Sequence, residues 1–219
     1  MVYAKFTAVC YFREMRFVLA MALALLFGLP AVAADLTVSV RDTAGRPVRD
    51  AVITVVPNSG VPRGPIRFPW PLRVTQANVQ FDPFVLVVPV GATVSFPNLD
   101  RVRHHVYSFS RGNRFEIELF GRDETRSHVF STAGVAALGC NIHDQMLAYV
   151  KVVDTPWAAK TGATGDVTVT GLPAGGATLR VWHPRLTGRG NEIATIYTQA
   201  AAGSRQLITG DFSGRAAVR

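Results

Sequence analysis

Cysteine is nearly absent: the 219 residues contain two, Cys10 and Cys140. Helical periodicity is scarce after residue 35, so a helical core has little support. No block of five or more Lys and Arg occurs, and the basic residues are spread between apolar segments, which argues against nucleic acid as a partner. Paired carboxylates, a Ser/His/Asp order and a Gly-rich phosphate loop in suitable context are all missing, so nothing marks the chain as an enzyme. The apolar run from Phe17 to Leu29 has thirteen residues. A bilayer span needs about 20.

That run instead has the layout of a secretory leader. Arg13 and Arg16 precede it, and Pro30 and the small residues Ala31-Val32-Ala33-Ala34 follow it. Cleavage is expected after Ala33 or Ala34, which makes residues 1–34 a signal peptide and places the mature chain in the periplasm, with no membrane span. Met15-Arg16 could open such a leader alone, so the residues before Met15 read as an upstream extension. Excision removes Lys5, Arg13, Arg16 and Glu14 and lowers the formal charge from +8 to +6. A basic face suits an acidic redox partner or an anionic membrane surface. Cys10 departs with the leader and leaves Cys140 without a disulfide partner. An unpaired thiol in an oxidising compartment is a liability unless it is buried or bound to metal.

What the chain does contain is short β-branched and aromatic runs bounded by Gly, Pro, Asn and Asp: LTVSV, AVITVV, FVLVVPV, ATVSF, HVYSFS, FEIEL, SHVFS, MLAYVKVV, DVTVT and ATLRVW. The fold class is therefore all-β, a sandwich or barrel. Residues 36–60 place Gly45-Arg46-Pro47-Val48 between two strands, and residues 161–183 place Leu172-Pro173-Ala174-Gly175 between two more. Together they resemble a carboxypeptidase-regulatory-like, or prealbumin-like, β-sandwich, with Ala177 where that family usually has an aromatic residue. About 100 residues separate the halves. The expected organisation is an outer sandwich from 35–68 and 155–190, a second domain at 69–154 inserted into it, and a C-terminal segment, 191–219. The alternative is one larger sandwich to which the flanking strands belong.

Within 69–154, the stretch from Gly134 to Val153 reads as strand, tight loop and strand, with Cys140, His143 and Met146 in the loop. A thiolate, an imidazole and a thioether suit copper better than zinc. A trigonal copper site needs a second histidine, and His104 and His105 are available upstream. Adjacent strand side chains point to opposite faces, so only one of the two can face the metal. Each residue also has an ordinary explanation. Cys140 could be an inert buried thiol, Met146 core, His143 a loop residue and the histidine pair a surface edge. His128 fits a strand position, and His183 fits packing beside Trp182.

Residues 74–153 resemble a cupredoxin of the plastocyanin or amicyanin type, on Phe81, Pro83, Gly91, Val94, Phe96, Asn98, His104, Val106, Gly134, Cys140, His143 and Met146. The resemblance implies a Greek-key sandwich and one type 1 copper ion held by His104, Cys140, His143 and Met146. It implies single-electron transfer with a protein redox partner, with Ile142, Gln145 and Leu147 as a docking patch beside His143. His105 stands where the family has an asparagine that braces the cysteine loop. The rival readings are a periplasmic copper carrier and a metal-free binding module built on Trp70, Trp157 and Trp182.

Overall fold

The computed structural model describes residues 33–217. The expected leader up to Val32, and Cys10 with it, lie outside the described residues. Regular structure in this range is strand, apart from one 3₁₀ turn, and no helix is long and apolar enough to cross a membrane. The chain is all-β.

The strands are β1 (Ala33–Asp42), β2 (Val52–Pro57), β3 (Thr75–Ala77), β4 (Gln80–Asp82), β5 (Val85–Pro89), β6 (Ala92–Pro97), β7 (His104–Ser108) and β8 (Phe115–Phe120). They continue with β9 (Thr125–Phe130), β10 (Gly134–Gly139), β11 (Leu147–Val153), β12 (Ala158–Lys160), β13 (Asp166–Pro173), β14 (Gly175–Trp182), β15 (Glu192–Gln199) and β16 (Ser204–Gly210).

Two sheets contain both ends of the described chain: β13-β1-β16 and β12-β2-β14-β15. The chain leaves them after β2, builds β3 to β11, and returns at β12. The intervening strands form the five-stranded sheet β5-β11-β10-β7-β8 and the pairs β6-β9 and β3-β4. β15 and β16, which no strand-like run in the sequence had suggested, complete both outer sheets from the segment expected at 191–219. Each ends a sheet with one side unpaired, and their outward Ile196 and Leu207 are 82% and 66% exposed.

Side-chain alternation divides the interior into three apolar layers. Leu36, Val38 and Val40 of β1 meet Ile53, Val55, Leu179 and Val181 across the outer pair of sheets. Val52, Ala158 and Trp182 point the other way and pack on Val85, Val87, Ala137 and Tyr149 of the five-stranded sheet. The opposite face of that sheet presents Leu86, Val88, Leu138, Ala148 and Val150 to Val94, Phe96 and Phe130. Every residue of β5 is consequently buried, which explains its unbroken apolar sequence. Lys160 ties the parts together, its Nζ donating to Asp50 Oδ1 at 2.6 Å and to the Val85 carbonyl at 2.8 Å.

His183 is buried where β14 ends, its ring edge-on to Phe212 at 5.4 Å. Its Nδ1 accepts the Arg185 backbone N–H at 3.2 Å, a bond that requires this nitrogen to be unprotonated. Burial, reinforced by Arg185 and opposed by Asp50 and the Arg49 backbone, pushes the imidazole down to about 4. The unfolded chain, with its histidine near the ordinary 6.5, binds the proton first as pH falls. The neutral ring's contribution is therefore complete above pH 6.5 and is lost on acidification through about 4, by at most about 3 kcal/mol. His183→Gln should flatten the pH dependence of denaturant-unfolding free energy over that interval; an unchanged slope would contradict this account.

Candidate metal centre

The loop between β10 and β11 leaves the sheet at Cys140 and re-enters at Leu147, and the Met146 N–H donates back to the His143 carbonyl at 2.9 Å. This turn folds the C-x-x-H segment on itself: Cys140 Sγ and His143 Nδ1 lie 3.8 Å apart. β7 supplies the third group. One donor atom from each of His104, Cys140 and His143 falls within 4.8 Å of the others, and the two imidazole centroids are 5.0 Å apart. Cys140 and His104 are buried, and His143 is half-buried. Met146 is 1% exposed, in the same apolar cluster as Cys140.

His104 is oriented by Asp100, whose Oδ2 lies 2.7 Å from its Nε2. Asp100 also accepts the backbone N–H groups of Asn78 at 2.6 Å and Val79 at 2.9 Å, both of which have positive φ in the turn joining β3 and β4. Burial works to raise the Asp100 carboxyl, but the bonds from Val79, His104 and Asn78 outweigh it and hold the group below the ordinary carboxylate range. Asn98 shapes the approach, its Nδ2 donating to the carbonyls of Val102 and Phe120 and its Oδ1 accepting the Asp100 N–H.

With Nε2 engaged, the Nδ1 of His104 is buried and has no hydrogen-bond partner. An orphaned ring nitrogen in the interior is costly unless a ligand takes its lone pair. His104 lies beside a thiol and a second imidazole, so the donor set fits a soft or borderline metal such as copper. A carboxylate that orients a ligating imidazole through its other nitrogen is a recurrent companion of such sites.

Position in the cluster, and not the orphaned nitrogen alone, distinguishes the adjacent histidines, since the Nδ1 of His105 is also buried without a partner. His105 lies outside the three-residue cluster; its Nε2 is 2.9 Å from Glu116 Oε1 on β8, and its ring neighbours Tyr107 at 5.7 Å. It makes no hydrogen bond to the cysteine loop among the described residues. The imidazole, standing where the family has its bracing asparagine, instead links β7 to β8. His128 stacks on Phe115 at 4.0 Å, and burial lowers its pKa.

Of the patch expected around His143, Ile142 is 49% exposed and Gln145 is exposed, but Leu147 packs inward with Tyr149 and Trp182. The tryptophans are structural. Trp182 is 3% exposed, Trp70 donates to the Val87 carbonyl and Trp157 donates to the Gly171 carbonyl. Asp100, which holds His104, carries no motif that marks it in the sequence. Its place four positions before a candidate histidine is visible there, but the turn it pins lies 21 and 22 positions upstream.

No protein-family model matches the chain, and no curated protein sequence matches it. Among solved structures the chain is similar to a copper-containing nitrite reductase from Thermus scotoductus, at 27% identity over 40% of this chain and TM-score 0.37. The chain spans 23% of that reductase's length. It is also similar to a purple cupredoxin from Nitrosopumilus maritimus, at 25% identity over 37% of this chain and 98% of that one, TM-score 0.34. A reduced Cu(I) amicyanin variant matches at 23% identity over 48% of this chain and 99% of that one, TM-score 0.35. These overlaps cover less than half of the chain, and the functional reading below stands on the site itself.

Asp100→Ala should lower Cu(II) affinity about 10- to 100-fold in competition with a chelator, whereas Glu116→Ala, which releases His105 and leaves His104 held, should change it by no more than about two-fold. Equal losses would contradict the assignment of His104.

Proposed function

We propose that this chain is a periplasmic type 1 copper protein that carries single electrons between protein partners. The observation that supports it most strongly is the convergence of one donor atom each from His104, Cys140 and His143 within 4.8 Å of one another, with His104 Nδ1 buried and unpartnered. His104, Cys140 and His143 would hold the ion, with Met146, buried in the same cluster, as the axial donor. The bound copper would supply one-electron Cu(II)/Cu(I) cycling.

The protein's own contribution is preorganisation. Asp100 holds one imidazole with its Nε2 occupied and its Nδ1 buried without a protein partner. The apolar cluster around Cys140 and Met146 excludes water from the thiol. His143, half-buried beside exposed Ile142, is the donor that reaches toward solvent. A donor set saturated by protein leaves no place for a substrate, which favours carrying electrons over catalysis. In this reading residues 69–154 are the electron-carrying domain, inserted into an outer sandwich from 35–68 and 155–190 to which 191–219 adds strands. The leader at residues 1–34 supports export.

Addition of Cu(II) to residues 35–219 should produce an intense thiolate-to-copper visible band that saturates at one equivalent and is lost in Cys140→Ser. A colourless protein, or a band indifferent to Cys140, would overturn the proposal.

A further inference from the structure

β10 ends at Gly139, immediately before Cys140, and Gly139 lies opposite Tyr107 of β7. A Cβ at position 139 would sit 2.7 Å from both Cζ and Oη of Tyr107. The phenol ring therefore rests directly on the glycine backbone, a contact that any side chain there would prevent. From that point an aromatic path continues outward. Tyr107 lies 4.9 Å from Phe109, centroid to centroid, and Phe109 is 51% exposed. The Arg114 guanidinium stands 4.9 Å from the centre of the Phe109 ring.

The path ends in positive charge. Arg111 and Arg114 are both exposed, in the loop joining β7 to β8, and neither pairs with a carboxylate among the described residues. The acid beside Tyr107 across the strands is Glu116, which is engaged by His105. Covering a strand glycine with an aromatic ring explains Tyr107 by packing alone. It does not explain why the next ring outward is half exposed and capped by an unpaired arginine.

We infer that Tyr107, Phe109, Arg111 and Arg114 form a docking face for an acidic redox protein, separate from the His143 end of the site, with Tyr107 as the contact between that face and the backbone of Gly139, the residue before Cys140. The inference rests on the copper reading above. The partner is a protein whose one-electron centre lies beneath a patch of Asp and Glu, because two unpaired arginines around an exposed ring favour an anionic, partly apolar surface. One electron leaves the partner, which is oxidised, and reduces the cupric site; no bond forms or breaks, and the phenol keeps its proton.

Two measurements test this. In metal-free protein, the redox-inert trianion hexacyanochromate(III) should broaden the NMR signals of Phe109, Arg111 and Arg114, and the broadening should disappear in Arg111→Glu/Arg114→Glu. Broadening confined to other surfaces, or unchanged in the variant, would overturn the docking face. In copper-loaded protein, reduction by hexacyanoferrate(II) should slow at least about ten-fold in the same variant, while reduction by the cation hexaammineruthenium(II) should not slow. Tyr107→Leu should slow hexacyanoferrate(II) several-fold without altering the visible band. Unchanged rates in Tyr107→Leu would overturn the electron path and reduce Tyr107 to a cover for Gly139. Failure of the copper reading is read separately: the Cys140-dependent band would be missing while anion broadening at Phe109 persisted, leaving an acidic-partner face with no electron route.

Discussion

The site depends on one carboxylate. Asp100 accepts two backbone N–H groups from the turn between β3 and β4 and holds the Nε2 of His104. The strand pair that closes one side of the inner core and the imidazole that faces Cys140 are therefore positioned by the same group. Asp100 satisfies Nε2 and leaves Nδ1 with no protein partner, and the imidazole's place beside Cys140 and His143 makes it a prospective ligand. Asn98, wholly buried, supports Asp100 through its backbone N–H and ties the loop to β8 through Phe120. The chain from Asn98 to Asp100 to His104 is a continuous polar thread through the edge of the core, and it ends at the imidazole that clusters with the thiol.

Around that thread, apolar layering supplies rigidity. The five-stranded sheet is covered on both faces, by the Val94, Phe96 and Phe130 layer on one side and by Trp182, Val52 and Ala158 on the other. A strand buried on both faces has little freedom to slip, since a shift of one residue would exchange its entire set of contacts. The sheet β12-β2-β14-β15 thus forms one wall of the interior on which β10 and β11, the strands flanking the cysteine loop, are mounted. The tie from Lys160 to Asp50 and Val85 adds a directional contact to an otherwise apolar junction.

Much of this was legible in the sequence, for identifiable reasons. Cys140, His143 and Met146 are compressed into seven residues between two strand-like runs, so their proximity follows from chain connectivity. The separation of His104 from His105 follows from the period of a strand, and the structure places His104 with the thiol and His105 against Glu116. Other features were hidden because they depend on distant partners. Asp100 looks like an ordinary loop acid until the β3–β4 turn is folded against it. Gly139 looks like a flexible residue until Tyr107 arrives from another strand. β15 and β16 close the outer sheets as edge strands with exposed Ile196 and Leu207, so they lack the clean alternation that a strand covered on one face displays.

The most direct test of the account is X-ray absorption at the copper edge of protein carrying one equivalent of Cu(II), because it reads the donor atoms themselves. The account predicts a shell with one short sulfur and two imidazole nitrogens, losing the sulfur in Cys140→Ser and one imidazole in His104→Ala while His105→Ala keeps all three. A shell of oxygen and nitrogen alone, or one in which His105 rather than His104 is the missing imidazole, would contradict it.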